Sequence, residues 1–219
     1  MVRRIGDQYG VRTEGNLLVG FKWIGGCMDE HGPDKFILGT EESHGYLVGQ
    51  YARDKDGAVA ALLLCELAAT VKAAGLSLSQ KLDSLYQQHG YHAERLVTQM
   101  MPGSEGMANM KKLMERLRSE PPKSLAGTDV ARVRDFQNSK IIAADGSTSK
   151  LDAPVGNMVI IDLADGYYVA VRPSGTEPKV KYYMFAFVDP SEINDLAAVK
   201  ASTEERLDAI EKNLKAFAG

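Results

Sequence analysis

A chain of 219 residues is long enough for one large or two small domains. Apolar residues make up 44% of it and charged residues 25%, the usual balance of a globular protein that buries a core. The formal net charge of −3 gives no support to a nucleic-acid or anionic-membrane surface.

Cys27 and Cys65 are the only cysteines and lack metal-ligand spacing, so reduced thiols and a cytoplasmic location are expected. The basic start Met1-Val2-Arg3-Arg4 runs into Gly6, Asp7 and Gln8, so no apolar signal region follows it. The longest apolar run, residues 58–71, contains Glu66 and is too short to span a bilayer.

The pattern predicts the end of a helix over residues 2–9, stopped by Gly10, then a short strand over 11–14. In residues 17–26, Phe21, Trp23 and Ile24 are read as core residues, whereas Lys22 between them must find water or an anion. Residues 36–39 read as a short buried strand, followed by the polar loop Thr40-Glu41-Glu42-Ser43-His44-Gly45-Tyr46. Polar groups past the C-terminal end of an α/β strand are where such sheets bind ligands. Two carboxylates and a hydroxyl suit the hydroxyls of a sugar; a solvated loop in which Ser43 caps a neighbour is the alternative. Tyr51-Ala52-Arg53-Asp54-Lys55-Asp56-Gly57 reads as a charged, solvated helix entrance with Asp56 as N-cap.

A helix is expected over residues 58–74, where Leu62, Leu63, Leu64, Leu67, Ala68 and Val71 make a wide apolar face and Gly75 stops it. Ser79 starts a second helix that Gly90 ends, residues 91–100 alternate as a strand, and Ser104 and Glu105 open a helix to about Ser119. Pro121-Pro122-Lys123-Ser124 is the linker candidate. Strands follow over residues 130–136, 157–163, 167–171 and 179–188, with Asp165-Gly166 as a hairpin turn. Ser191 begins a closing helical region, and Ser202 with Glu205 makes a capping box for a second helix there, with Leu207, Ile210, Leu214 and Phe217 as its buried stripe.

Between the last two strands lies Arg172-Pro173-Ser174-Gly175-Thr176-Glu177-Pro178-Lys179. Phosphate binding calls for these parts: a Gly that lets backbone N–H groups turn toward an anion, hydroxyls at Ser174 and Thr176, a forked Arg172 and a cation at Lys179. The same residues also make an ordinary β-turn. No Gly-x-x-x-x-Gly-Lys-(Ser/Thr) exists in the chain, which excludes a P-loop nucleotide enzyme.

This stretch resembles the phosphate-binding loop of the phosphoglucomutase/phosphomannomutase family, the α-D-phosphohexomutases. Upstream segments resemble the same family in the same order: Gly20-Phe21-Lys22-Trp23-Ile24, the loop at Glu41 and Ser43, and Arg53-Asp54-Lys55-Asp56-Gly57. The resemblance implies an α/β layered domain, N-terminally truncated, over residues 1–120, the family's domain 3. An α+β domain with an antiparallel sheet is implied over 126–219, the family's domain 4. It assigns Glu41 and Ser43 to two adjacent sugar hydroxyls and Arg172, Ser174, Gly175 and Thr176 to the substrate phosphate. Lys55 would lie near the transferring phosphoryl group, with Lys22, Arg53 and Lys179 as further cleft cations. Thr40 stands where many members have Gly, and His44 departs from the family pattern, so no proton-transfer role is carried over to it.

The family's phosphoserine loop and its Asp-Gly-Asp-x-Asp loop for Mg²⁺ are not among these residues. The expectation is therefore the C-terminal part of a mutase that interconverts hexose 1- and 6-phosphates. It would work through a phosphoserine and a bisphosphate, with Mg²⁺ and a glucose 1,6-bisphosphate-type activator. Its partners would be the hexose phosphate and the N-terminal domains of the same protein, with no nucleic acid and no membrane. This chain alone would be inactive. The competing reading is a non-catalytic sugar-phosphate-binding module.

Overall fold

The computed structural model describes every residue except Asn16, Glu42 and Gly219. It divides into two units, residues 1–85 and 86–219.

In the first unit, α1 (Val2–Gln8) ends at Tyr9 and Gly10. The strand expected over 11–14 does not form. The Val11 N–H instead donates to the Gly6 carbonyl at 2.8 Å, and Arg12 pairs with Glu14 at 2.5 Å. Phe21 is the N-cap of α2 (Lys22–His31). A 3₁₀ turn at Pro33–Lys35 leads to β1 (Leu38–Thr40), which pairs antiparallel with β2 (Tyr46–Val48). The expectation of a buried strand is corrected here. Only Gly39 is buried, against Ile24, Phe36 and Phe21, while Ile37 and Leu38 point to solvent, because among the described residues β1 pairs with β2 alone and its other face is uncovered.

The helix α3 (Gly57–Ala73) starts where expected, with Asp56 as N-cap. A capping pair starts α4 (Leu78–His89): the Gln80 N–H donates to Ser77 Oγ at 3.2 Å, and the Ser77 N–H to Gln80 Oε1 at 2.8 Å. The buried cluster of this unit is small, Phe21, Met28 and Leu47 with Ile24, Phe36 and Ala52 against them. The apolar face of α3 does not join it. Leu62 is 67% exposed, Leu64 55%, Leu67 43% and Leu63 39%; only Val71 of this helix is buried. A helix apolar all round is one that proteins cover. Among the described residues no single helix is long and apolar enough to cross a membrane; α3 and α4 reach that length only as a pair bent by 90°.

The second unit is an antiparallel sheet with two helices. Its elements are β3 (Tyr91–Met100), α5 (Gly106–Ser119), β4 (Ser124–Leu125), β5 (Thr128–Asp135), β6 (Lys140–Ala143), β7 (Thr148–Lys150), β8 (Val159–Leu163), β9 (Tyr168–Pro173), β10 (Lys179–Val188) and α6 (Leu196–Ala218). The main strand order is β3-β10-β9-β8-β5-β6-β7, with β4 on β5. So β3 and α5, both N-terminal to Pro121 and Pro122, pack with this unit: β3 pairs along all its length with β10. Val159, Ile161, Val169, Val171, Val180, Tyr182 and Met184 alternate into the core. There they meet Met110, Leu113, Met114 and Leu117 of α5 and Leu207, Ile210 and Leu214 of α6. Each such side chain contributes about 1.5–3 kcal/mol by leaving water.

The second capping box is not used, because α6 runs unbroken through it. Asp195 caps it, accepting from the Ala197 and Ala198 N–H groups at 2.8 and 3.2 Å, and Ser202 turns its hydroxyl back to the Val199 carbonyl instead.

Exposed leucines on α3 make a direct prediction. Leu62→Lys and Leu64→Lys should each change the unfolding free energy of this chain by no more than about 0.5 kcal/mol, as for other surface sites. Both should lower the binding of a hydrophobic dye. Urea unfolding followed by circular dichroism is the measurement; a loss beyond about 2 kcal/mol would mean that this face is packed.

Candidate functional site

Two groups of side chains stand out, one in each unit. In the first, the loop between β1 and β2 is closed by the Glu41 N–H to Gly45 carbonyl bond at 2.9 Å and the His44 N–H to Glu41 carbonyl bond at 3.2 Å. His44 takes a left-handed φ of 66° to make the turn, so its ring is an exposed tip. Glu42 lies outside the described residues. Ser43 is exposed, and Glu41 is half-buried with its Oε1 accepting the Gly20 N–H at 3.2 Å. That bond joins the sugar-loop candidate to the segment carrying Lys22.

Gly45 is the meeting point. A Cβ there would lie 2.6 Å from Glu41 Oε2 and 3.1 Å from Lys55 Cδ, so the Glu41 carboxylate and the Lys55 stem both cross the space a side chain would fill. The structure therefore brings Glu41 and Lys55 together, although 14 positions separate them. Lys55 holds Asp54 at 3.1 Å, and the Lys55 amide and ammonium keep the Asp54 carboxyl below the usual carboxylate range.

Arg53 is committed elsewhere. Its Nε binds Asp29 at 2.7 Å and its Nη1 the carbonyls of Gln50 and Ala52, which makes it a tie between the turn and α2. Lys22 is exposed, its ammonium 5.4 Å from the Trp23 ring centre. Of the three expected core residues, Phe21 is buried, while Trp23 and Ile24 are half-buried.

In the second unit, the loop between β9 and β10 borders a hollow of about 300 Å³ lined by Arg172, Ser174, Thr176, Glu177, Lys179 and Lys181, with Pro173 and Gly175. The hairpin closes through the Ser174 N–H to the Lys179 carbonyl at 2.9 Å. Ser174 Oγ accepts from the Thr176 and Glu177 N–H groups at 3.4 and 3.3 Å. A hydroxyl has two acceptor positions and one proton, so Ser174 can still donate while it holds the turn. Lys179 pairs with Glu177. Arg172 and Lys181 are direct cross-strand partners, and neither makes an ion pair among the described residues. Sequence reading missed Lys181. Its signal was the period-2 alternation of β10, which puts it on the face of Lys179 and opposite Arg172. Nearby, burial pushes the Tyr182 hydroxyl up to about 12, and it donates to Gln99 Oε1 at 2.9 Å.

Among the described residues no group of three or more His, Cys, Asp or Glu side chains comes together to hold a metal ion.

Comparison with known proteins finds family matches over most of the chain. Residues 1–89 match the family model described as phosphoglucomutase/phosphomannomutase, alpha/beta/alpha domain III. Residues 118–214 match that family's C-terminal domain. A phosphoglucomutase of Staphylococcus aureus strain MRSA252 is 34% identical over 172 residues, which cover 77% of this chain and 31% of the relative. The phosphoglucomutase of strain N315 is 33% identical over the same length. The chain thus spans about a third of the length of the curated relatives it matches. Among solved structures, the open form of pp63/parafusin, a phosphoglucomutase from Paramecium, superposes with a TM-score of 0.58 at 19% identity over 99% of this chain and 36% of that one.

The entrance to α3 generates a pH prediction. Asp56 accepts from the Tyr51 hydroxyl and from the Ala58 and Val59 N–H groups, and these bonds, Tyr51 first, hold its carboxyl below the ordinary range. A lowered folded-state value means that the stabilisation is present above the unfolded value and is lost as pH falls through the folded one. The Ala58 amide should therefore lose hydrogen-exchange protection below about pH 4. In Asp56→Ala its protection should be low and flat across that range. An Ala58 amide equally protected in both proteins would remove Asp56 as the cap.

Proposed function

Because this chain belongs to the phosphoglucomutase/phosphomannomutase family, matching its domain III and its C-terminal domain, we propose that it holds the sugar and the phosphate in a phosphohexomutase. The reaction is the interconversion of a hexose 1-phosphate and 6-phosphate, through a phosphoserine and a bisphosphate intermediate, in the cytoplasm. The serine donor belongs to the rest of the protein, as does the response to a glucose 1,6-bisphosphate-type activator.

The observation that carries the reading is the pair Arg172 and Lys181. Like charges directly opposite across two strands are unfavourable. Here they face each other at the mouth of a hollow whose loop is turned by Ser174. A dianion placed between them removes the repulsion and gains charge-assisted hydrogen bonds from both. Thr176 and the Gly175 backbone, which no side chain crowds, complete the contact. Lys179 exchanges Glu177 for the phosphate or shares it.

In the first unit, Glu41 accepts hydrogen bonds from sugar hydroxyls, Ser43 adds a donor and acceptor beside it, and Lys55, whose stem passes beside Gly45 with the Glu41 carboxylate, turns its ammonium from Asp54 to the charge of the reacting phosphoryl group. Phosphoryl transfer depends on positioning and charge neutralisation, so residues that only hold the substrate carry much of the rate. Mg²⁺, where the family binds it, neutralises the charge that spreads in transfer. The described residues assemble no acidic ligand set for it, so no step through the metal is assigned here.

Two outcomes test the proposal. Arg172→Ala should weaken glucose 1-phosphate binding by about 1.5–3 kcal/mol, the scale of a charge-assisted hydrogen bond. Lys181→Ala should weaken it by a smaller amount. Calorimetric titration measures both, and an unchanged affinity in Arg172→Ala would end the phosphate assignment. The purified chain should also show no turnover in a coupled assay with glucose 1-phosphate, Mg²⁺ and glucose 1,6-bisphosphate, because the family's phosphoserine loop is not among its residues. Turnover that disappears in Arg172→Ala would demand a nucleophile within these residues.

A further inference from the structure

We propose that Gly106 is a positioning residue for the phosphate loop, acting through Met101 and Pro178. This rests on the phosphate reading of the 174–178 loop and extends it to a segment some seventy residues earlier in the chain. The loop's own bonds, the Ser174 contacts and the hairpin closure, hold it within its hairpin. On its far side the β3–β10 ladder, which pairs Met100 with Lys179, is carried one step into the loop: the Met101 N–H donates to the Pro178 carbonyl at 2.7 Å. Met101 is buried, so this amide has no water to fall back on and the bond is expensive to lose.

The chain then turns from Met101 back onto the start of α5, closed by the Gly106 N–H to the Gly103 carbonyl at 3.1 Å. At Gly106 the backbone lies directly against both ends of the tie. A Cβ there would sit 1.9 Å from the Met101 carbonyl oxygen and 3.0 Å from Pro178 Cβ. The first of these is backbone, not a flexible side-chain tip, so any side chain at 106 must push residue 101 aside. Pro178 has a fixed φ and transmits the displacement to Glu177 and Lys179 on either side of it. Behind Gly106, α5 is anchored by four side chains in the core, Met110, Leu113, Met114 and Leu117. The line of support therefore runs from the core through α5 and Gly106 to the Met101–Pro178 bond, and from there to the loop. Positioning of this kind sets affinity, because a loop already held in its binding shape has less ordering to do when the anion arrives.

The test uses the whole chain with inorganic phosphate as the probe, read by amide NMR and hydrogen exchange. In the unsubstituted protein, phosphate should slow exchange at Thr176 and Glu177 and, together with them, at Met101. Gly106→Ala should bind phosphate at least about tenfold more weakly while its unfolding stays cooperative. Met107→Ala, at the next and exposed position, should bind like the unsubstituted chain. A residue that matters only for stability would lower the melting temperature and leave affinity, measured well below it, unchanged. That result for Gly106→Ala overturns the inference.

Arg172→Ala separates the two ideas. If it abolishes phosphate binding while Gly106→Ala binds normally, the phosphate reading stands and the positioning role falls. If the loop amides never respond to phosphate, both fall. Should Gly106→Ala fail to fold, exchange in the unsubstituted chain decides alone: protection at Thr176 and Glu177 without any at Met101 overturns the role.

Discussion

The register of β9 against β10 is the constraint on which the proposed phosphate loop depends. Val171 and Val180 are fully buried, as is Tyr182, and each alternates with a residue on the opposite face. A slip of one residue in β10 would turn Val180 and Tyr182 to the open face and drive Lys179 and Lys181 into a core of aliphatic side chains. Several buried side chains at about 1.5–3 kcal/mol each forbid it. With the register fixed, Lys181 must stand opposite Arg172, and the loop must span the short gap from Pro173 to Lys179. The placement of the cations is thus decided by apolar residues that never touch a ligand. β3 strengthens the same constraint from the other side, since it pairs with β10 from Lys179 to Val188 and closes the sheet there.

The first unit is organised differently. Its buried cluster holds three residues, so packing alone fixes little there. Polar ties do the rest: Gly20 to Glu41, Arg53 to Asp29, and Asp56 to the first turn of α3. Ties of this kind on exposed groups contribute little stability individually but do set which side chains lie beside which. Glu41 and Lys55 are neighbours because Gly45 leaves room for both. The apolar face of α3, by contrast, is a surface without a layer on it among the described residues. Its leucines are what a sheet-covering helix requires, so the amino-acid pattern of this helix is written for a cover that these residues do not provide.

Much of the second unit was legible from sequence because its strands alternate and its turns carry Asp-Gly or Ser-Gly signals. The strands at β3, β5, β8, β9 and β10 follow that pattern, and so does the placement of the phosphate loop between the last two. The short strands β2, β4, β6 and β7 were not legible, since a run of two to four residues has no period to detect. The box at Ser202 and Glu205 misled because a capping signature inside a strongly helical stretch is outweighed by the buried stripe of Leu207, Ile210 and Leu214 on the same continuous helix. The exposure of Ile37, Leu38 and α3 was invisible for another reason: apolar composition says that a surface wants cover, and only the structure says whether it has one. Lys181 was not legible in the loop's own residues, because its proximity to the loop comes from its cross-strand partner Arg172.

The loop's state before any ligand arrives follows from the relative size of its terms. Cross-strand repulsion between Arg172 and Lys181 amounts to no more than about 1 kcal/mol at a solvent-facing site. The hydrogen bonds that each would make to a phosphate are larger, about 1.5–3 kcal/mol. On the proposed phosphate reading, repulsion favours a doubly charged group and the hydrogen bonds supply most of the affinity. Ser174 keeps the turn satisfied meanwhile, accepting from Thr176 and Glu177 so that neither amide is left without a partner. On that reading an anion entering the hollow does not have to build the loop. The loop's shape is set by the sheet beneath it and by the Met101–Pro178 bond at its far side.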